Sequence, residues 1–141
     1  MNRRALAWCA LLAFLFHWVW ETAHGVAYVE TRLPLRPRLW HCLPMAIVDT
    51  GWTLGLIGLG VAVAAITRHH AATYWSAALA GALTAAILER WALAVGRWTY
   101  NELMPVVPVL DVGLWPVLQM TVLPALVLWA ARRVSGSHQR L

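Results

Sequence analysis

Charged residues are scarce in this sequence. Only 12% of the 141 residues are charged, 61% are hydrophobic, and the mean hydropathy is +0.62. A chain of this composition has too little polar surface to cover a soluble globule. We therefore predict an all-α integral membrane protein.

Lysine is absent, and all eleven basic residues are arginines. They are spread along the chain and do not form the basic domain that nucleic-acid binding requires. The formal net charge of +5 is instead expected to attract anionic lipid headgroups. The predicted partner is thus the lipid bilayer, and no nucleic acid is expected.

Cysteine is rare too, and two cysteines are too few for a disulfide framework. Cys9 lies in the first apolar segment, and Cys42 lies just before the second, on the opposite side of the membrane. Their separation of about 20 Å along the membrane normal is far beyond the bridging limit of about 7 Å between Cα atoms. We predict no disulfide within one chain.

The sequence does contain four long apolar segments. Each reaches the roughly 20 residues that cross about 30 Å of hydrocarbon at 1.5 Å per residue. We predict a single membrane domain, residues 1–141, folded as four transmembrane helices in an antiparallel bundle. The predicted spans are residues 5–28, 45–67, 73–96 and 109–131, with outer loops 29–44 and 97–108 and an inner loop 68–72.

The arginines indicate the orientation. Six lie on the side of the two termini and five on the other side, and Arg is enriched in cytoplasmic loops, so we place both termini in the cytoplasm. The alternative is that the first segment, which follows Arg3-Arg4, is a cleaved signal peptide, but it is longer than a usual signal core. In the predicted orientation all acidic residues belong to the outer half: Glu21, Glu30, Asp49, Glu89, Glu102 and Asp111.

Three of these acids, Glu21, Asp49 and Glu89, lie inside predicted spans. An ionisable group near mid-membrane costs about 2.5–3.5 kcal/mol even on the lenient insertion scale, so these side chains must face the protein interior. By helical rise, all three lie about 10 Å below the outer surface. The sequence therefore predicts one layer of carboxyl groups that acts as a proton relay or in acid–base catalysis.

The first span carries a polar stripe. His17, Glu21, His24 and Tyr28 follow spacings of four, three and four residues, which place them on one helix face. We interpret the stripe as a hydrogen-bonded proton relay, with metal binding or adhesion between helices as alternatives. The Glu21-x-x-His24 spacing occurs in di-metal bundles, but those sites need two such pairs. A metal ion is therefore disfavoured, and no cofactor is predicted.

Soft metal ligands occur at the start of the second span. His41, Cys42 and Met45 are, with His24, weak candidates for binding a metal such as Cu(I). Ordinary interfacial roles are favoured for His41 and Cys42, and a packing role for Met45. If the helix begins just before Pro44, one of its faces carries His41, Met45, Asp49 and Trp52.

The third span repeats small residues every four positions. Ala77, Gly81 and Ala85 precede Glu89 on one ridge, where a neighbouring helix approaches closely. Glu89 is therefore predicted to face the bundle interior. Arg90, next in sequence, is predicted to pair with a carboxylate of another helix or to snorkel outward.

Gln119 lies near mid-membrane in the fourth span, where an amide either joins the site or holds helices together. The outer loops are rich in proline and aromatic residues, so they either anchor at the headgroup level or fold over the site as a lid. The predicted substrate-binding residues are Gln119, Trp52, Trp98 and Tyr100.

The chain resembles a family of small uncharacterised bacterial four-span membrane proteins over nearly its whole length. The resemblance is carried by Trp20-Glu21, His24, Tyr28, Asp49, Glu89, Gly96 to Tyr100, Met104-Pro105, Pro116 and Gln119. It implies a multi-pass protein of the bacterial cytoplasmic (inner) membrane, but no activity. In that family Gln often stands in the place of His24, which argues against a metal role for this residue.

A fainter similarity joins Trp91 to Pro108, with its Gly96-x-Trp98-x-Tyr100-Asn101 stretch, to the small membrane subunits of heterodimeric lycopene cyclases. That family has paired glutamates shortly after a proline. This chain has only Asp111 after Pro108, so the residues most needed for alkene protonation are absent.

Three functions remain open from the sequence. The favoured one is a proton-coupled site that binds or transports a small solute or ion, formed by the carboxyl layer with His17, His24 and Tyr28. The second is an intramembrane enzyme that uses one carboxyl group as an acid and another as a base on a lipid-soluble, isoprenoid-like substrate. The third is an accessory subunit whose polar residues assemble it with itself or with another membrane protein.

Overall fold

The computed structural model describes residues 3–136. Within this part of the chain lie five α-helices, α1 (Arg3–His24), α2 (Leu35–His41), α3 (Leu43–Thr67), α4 (Ala72–Ala94) and α5 (Leu114–Val134). A 3-10 turn (Gly25–Ala27) follows α1, and an antiparallel pair, β1 (Val106–Val107) and β2 (Val112–Gly113), precedes α5. All helices except α2 are long and apolar enough to cross a membrane. The predicted class, a helical multi-pass membrane protein, is thereby supported.

The α-helix of the first span ends before Tyr28. α1 ends at His24, and Tyr28 is extended, with φ −110° and ψ 146°. The backbone of Tyr28 pairs with that of Tyr100, which takes it out of any helix. The prediction that Tyr28 shares a helix face with Glu21 and His24 is therefore wrong.

The second span begins at Leu43, with Pro44 in its first turn, where a proline removes no helical hydrogen bond. The preceding loop contains α2, which sequence periodicity did not predict, and His41 is the last residue of that helix. His41 therefore belongs to α2 and is separated from α3 by Cys42 alone.

The fourth span begins at Leu114 instead of residue 109, because residues 106–113 form the β hairpin. Val106 pairs with Gly113, and Asp111 adopts a left-handed conformation with φ 50° in the turn. The hairpin therefore belongs to the loops above the helices.

The four long helices pack pairwise. α1 packs against α3 and α5, and α4 packs against the same two helices. Two close approaches depend on glycine: a Cβ at Gly81 would collide with the carbonyl oxygen of Met120, and one at Gly60 with that of Thr73. Glu89 follows Gly81 on the same buried ridge and is buried, as predicted.

The two ends of this bundle differ in chemistry. The acidic end comprises the C-terminal ends of α1 and α4 and the N-terminal ends of α3 and α5, and the acidic residues lie towards it. The other end, the basic end, carries Arg132 hydrogen-bonded to Tyr74. Between this contact and the acidic end lies a tightly packed apolar core of Cys9, Ala13, Ile57, Val127, Leu128 and Ala131. The buried cluster on the basic side is therefore apolar, in contrast to the acidic end.

Candidate functional site

Gln119 is the centre of a polar cluster inside the bundle and is only 2% exposed. Its Nε2 lies 2.8 Å from Oε1 of Glu21, 3.1 Å from Oδ2 of Asp49 and 2.8 Å from Nδ1 of His17. An amide nitrogen carries two hydrogens, so it satisfies at most two of these three acceptors at once. Side chains of two helices, α1 and α3, thus converge on one side chain of a third, α5.

His17 closes the bottom of the cluster. Its side chain is completely buried, and its Nε2 lies 2.7 Å from Oγ1 of Thr53. Its Nδ1 lies 3.8 Å from Oδ2 of Asp49. Thr53 was missed in the sequence, although it follows Asp49 by four residues and so shares its helix face.

Glu89 forms a second, separate carboxyl site and is 5% exposed. Tyr28 donates its hydroxyl hydrogen to Oε1 at 3.4 Å, Trp98 donates its indole N–H to Oε2 at 3.3 Å, and the Tyr100 hydroxyl also donates to Oε2. The Tyr100 oxygen in turn accepts from the backbone N–H of Gly113, at 2.7 Å. All three donors to Glu89 are neutral groups.

Arg90 does not serve as a partner for the buried acids. Its guanidinium group is exposed and donates to the backbone carbonyl of Leu110 at 2.9 Å, outside the site. The predicted pairing of Arg90 with a carboxylate of another helix is therefore wrong. The physical reason is direction: Arg90 follows Glu89 by one position, about 100° around the helix, and faces away from the interior.

Residues 97–105, which we call the strap, cross over the acidic end. The strap is tied to the end of α1 by two backbone hydrogen bonds of 3.0 Å, from Val29 N to Thr99 O and from Asn101 N to Ala27 O. A surface ion pair of 2.9 Å between Arg32 and Glu102 adds a third tie. The strap thereby holds Trp98 and Tyr100 over Glu89.

The two phenols that bind Glu89 are kept in their neutral, donating form. Burial raises the pKa of both Tyr28 and Tyr100, and the negative charge of Glu89 raises it further. The three aromatic rings over Glu89 also contact one another, with centroids 6.1 Å apart for Tyr28 and Trp98 and 5.5 Å apart for Tyr28 and Tyr100. The donors to this carboxylate are therefore preorganised.

A cavity of about 430 Å³ lies between the two carboxyl sites. It is walled by all four long helices and reaches the loops of the acidic end at Glu30, Thr31 and Arg97. The predicted site residues on its wall are Glu21, His24, Tyr28, His41, Cys42, Met45, Asp49, Trp52, Glu89, Trp98 and Gln119. Two further predicted residues do not line the cavity but contact residues that do. His17 contacts Gln119, and Tyr100 donates a hydrogen bond to Glu89.

His24 occupies a distinct position on the cavity wall. Its Nδ1 lies 2.9 Å from the backbone carbonyl oxygen of Trp20, which accepts but cannot donate, so Nδ1 carries the ring hydrogen. Nε2 then bears the lone pair, and no residue among 3–136 donates a hydrogen bond to it. His24 is 8% exposed and contacts the ring of Tyr28 at a centroid distance of 5.6 Å.

The soft-ligand group at the start of α3 does not form a metal cage. The Cys42 thiol points to the backbone carbonyl of Glu21 at 3.5 Å, and burial, together with the charge of Glu21, raises its pKa to about 11. A thiol with this pKa is a poor thiolate donor. Within residues 3–136, no group of three or more His, Cys, Asp or Glu side chains is arranged to hold a metal ion.

Comparison with known proteins adds no relative. No family model matches the chain, and neither a curated protein nor a solved structure matches it.

Proposed function

We propose that this protein is a membrane-embedded enzyme that moves protons to and from a small amphipathic substrate in the cavity of the acidic end. The observation that carries the proposal is the pairing of two chemically different carboxyl sites across one cavity, with the free Nε2 of His24 between them. Titratable groups whose environments differ in this way are the usual means by which one site supplies both an acid and a base.

Glu21 and Asp49 are suited to the role of acid. Their carboxyl groups lie within hydrogen-bonding reach of each other, and both contact the same Gln119 nitrogen. Because that nitrogen has only two hydrogens for three acceptors, a proton shared by the two carboxyl groups completes the hydrogen bonding. We assign this proton as the one given to the substrate.

His24 is suited to the role of base. Its Nε2 lone pair takes a proton from the substrate, and the hydrogen bond from Nδ1 to Trp20 holds the ring in the required tautomer. The Glu21–Asp49 pair gives one proton to one carbon of a carbon–carbon double bond in the substrate, and His24 takes one proton from the carbon next to the other end of that bond. The double bond thereby moves by one position, and the substrate is isomerised without net change. Return of the proton from His24 to the carboxyl pair resets the site. Glu89, which accepts hydrogen bonds from three neutral donors, is placed to stabilise positive charge that develops on the substrate.

The apolar core next to the basic end of the bundle favours an enzyme over a transporter. Towards the basic end from His17 and Thr53, the buried cluster of the described residues consists of apolar side chains. Access is therefore from the acidic end, which we propose to be the external side of the cell membrane.

The test is deuterium uptake. Purified protein in nanodiscs, made with the lipid extract of its source cells, is incubated in D₂O, and the lipids are then examined by mass spectrometry. We expect one lipid class to gain carbon-bound deuterium, and Glu21→Gln and Asp49→Asn to abolish the gain. Asp111→Asn, which changes an exposed acid of the hairpin turn outside the cavity to a residue that also tolerates the left-handed backbone, is the matched control and should keep full activity. No uptake above protein-free discs would refute the proposal.

A proton-coupled transporter is the second candidate, because the cavity reaches the loops of the acidic end and is lined by carboxyl groups. It predicts acidification or alkalinisation inside proteoliposomes when a solute gradient is applied, recorded with an entrapped pH dye. Charge or proton movement without deuterium uptake would favour this function.

A further inference from the structure

An apolar groove of about 780 Å³ lies beside the cavity, between α1 and α5. Its wall on α1 runs from Phe16 to His24, nine residues or about 12 Å of helix, and continues into the 3-10 turn as far as Ala27. Leu123 and Leu126 of α5 form the opposite wall, and Leu103 of the strap covers the upper end. The groove is thus long, narrow and open to the lipid-facing side of the bundle.

The groove and the cavity meet at His24, which lines both. Beside it, at the start of α5, Trp115 lines the groove and the next residue, Pro116, lines the cavity. The partition at this point is therefore one side chain thick. A molecule whose polar end lies in the cavity can therefore place its apolar chain in the groove. The chain then passes the imidazole of His24, which we assign as base.

The lining of the cavity disfavours a negatively charged polar end. Four carboxyl groups line it, those of Glu21, Glu30, Asp49 and Glu89, against a single arginine, Arg97. An anionic headgroup would be repelled and would lose its hydration without compensation. A hydroxyl group, by contrast, both donates to a carboxylate and accepts from Nε2 of a protonated imidazole or from a carboxylic acid.

We propose that the substrate is a long-chain alcohol that carries a carbon–carbon double bond, with its hydroxyl-bearing end in the cavity and its single apolar chain in the groove. This inference rests on the proposed function and deepens it. In a bilayer the groove adds little affinity, because lipid is as apolar as the groove wall. Its effect is positional: it fixes which carbon of the chain lies at His24 and between the two carboxyl sites.

The experiment uses a photoreactive hexadecanol that carries a diazirine in its chain, with protein in nanodiscs. After illumination, the labelled residues are mapped by mass spectrometry. We expect labelling on the groove faces of α1 and α5. Ala23 lines the groove and is exposed, so Ala23→Phe fills the groove without disturbing the core and should reduce labelling about fivefold or more. Ala65→Phe, an equal change on the exposed surface of α3, is the matched control and should not change it.

The corresponding diazirine fatty acid tests the headgroup and should label the groove at least about fivefold less than the alcohol, as expected for a carboxylate placed near other carboxylates. Labelling spread evenly over α3 and α4, or unchanged in Ala23→Phe, would overturn the groove assignment. Equal labelling by the acid would overturn the headgroup assignment. A specifically labelled groove in a wild-type protein that takes up no deuterium would instead refute the enzyme and leave a chain-binding site.

Discussion

Tyr28 and Tyr100 pair through their backbones in an antiparallel bridge, and the hydroxyl groups of both donate to the carboxylate of Glu89. The pairing of these two tyrosines has two effects. It fastens the strap to the segment that follows α1, and it surrounds a buried carboxylate with neutral donors. The loops of the acidic end are therefore part of the site and not only a connection between helices.

Tyr100→Phe should destabilise the protein more than Tyr28→Phe. It removes a donor to Glu89 and also leaves the N–H of Gly113 without its acceptor, whereas the Tyr28 hydrogen bond is long, at 3.4 Å. A hydrogen bond to a charged group contributes about 1.5–3 kcal/mol, so Tyr100→Phe should cost at least that much. Thermal unfolding in detergent measures the difference, with Tyr74→Phe at the basic end as control. Equal losses for the two site tyrosines would contradict this account.

Stability should decline above about pH 10. Burial raises the pKa of Tyr28 and Tyr100 above the ordinary value of about 10, at which both ionise in the unfolded chain. Their contribution is therefore complete below pH 10 and is lost as the pH rises towards the higher folded pKa values. Because the chain has no lysine, no ε-ammonium group obscures this range. Melting temperatures between pH 8 and 12 should fall less steeply for the Tyr28→Phe/Tyr100→Phe double variant than for wild type; parallel curves would refute the assignment.

Amide substitutions should separate the two carboxyl sites. Glu21→Gln and Asp49→Asn keep the shape of the side chain and remove a buried charge, so the melting temperature should stay the same or rise. Glu89→Gln should instead lower stability by about 1–3 kcal/mol, because both oxygens of Glu89 accept hydrogen bonds and an amide nitrogen cannot. Differential scanning fluorimetry in detergent distinguishes the two behaviours. Aggregation of Glu21→Gln would show that this carboxyl group is a structural partner.

The orientation is testable with reporters. A reporter fused after Leu141 should be cytoplasmic, and one inserted near Pro34 should be external, because the terminal arginines favour the cytoplasmic side. An external C-terminus would reverse the orientation and place the cavity on the inner side.

Metal content gives an independent check on the role of His24. Elemental analysis of purified protein should find no stoichiometric metal, and a chelator should leave the melting temperature unchanged, because a single Glu21-x-x-His24 pair lacks the second pair of a di-metal site. A bound metal at a hundredfold excess over its Kd would add about 2.7 kcal/mol, which is easily detected. Stoichiometric metal that disappears in His24→Gln would refute proton transfer by His24.

Several features followed from the sequence because they depend on order along one helix. Segment length and hydropathy predict four spans, since crossing hydrocarbon requires about 20 apolar residues. The four-residue spacing of small side chains places Glu89 towards the interior, since spacing alone decides which residues share a helix face. Both inferences hold whatever the neighbouring helix is.

Other features were decided only by tertiary structure. The contact of Gln119 with His17, Glu21 and Asp49 depends on how three helices are rotated against one another, which no single periodicity encodes. The bridge between Tyr28 and Tyr100 joins residues more than seventy positions apart, and it removed Tyr28 from the helix face that local spacing predicted. Local pattern thus determined which side chains turn inward, while packing between helices and loops determined which of them meet, because hydrogen bonds form between neighbours in space and not in sequence.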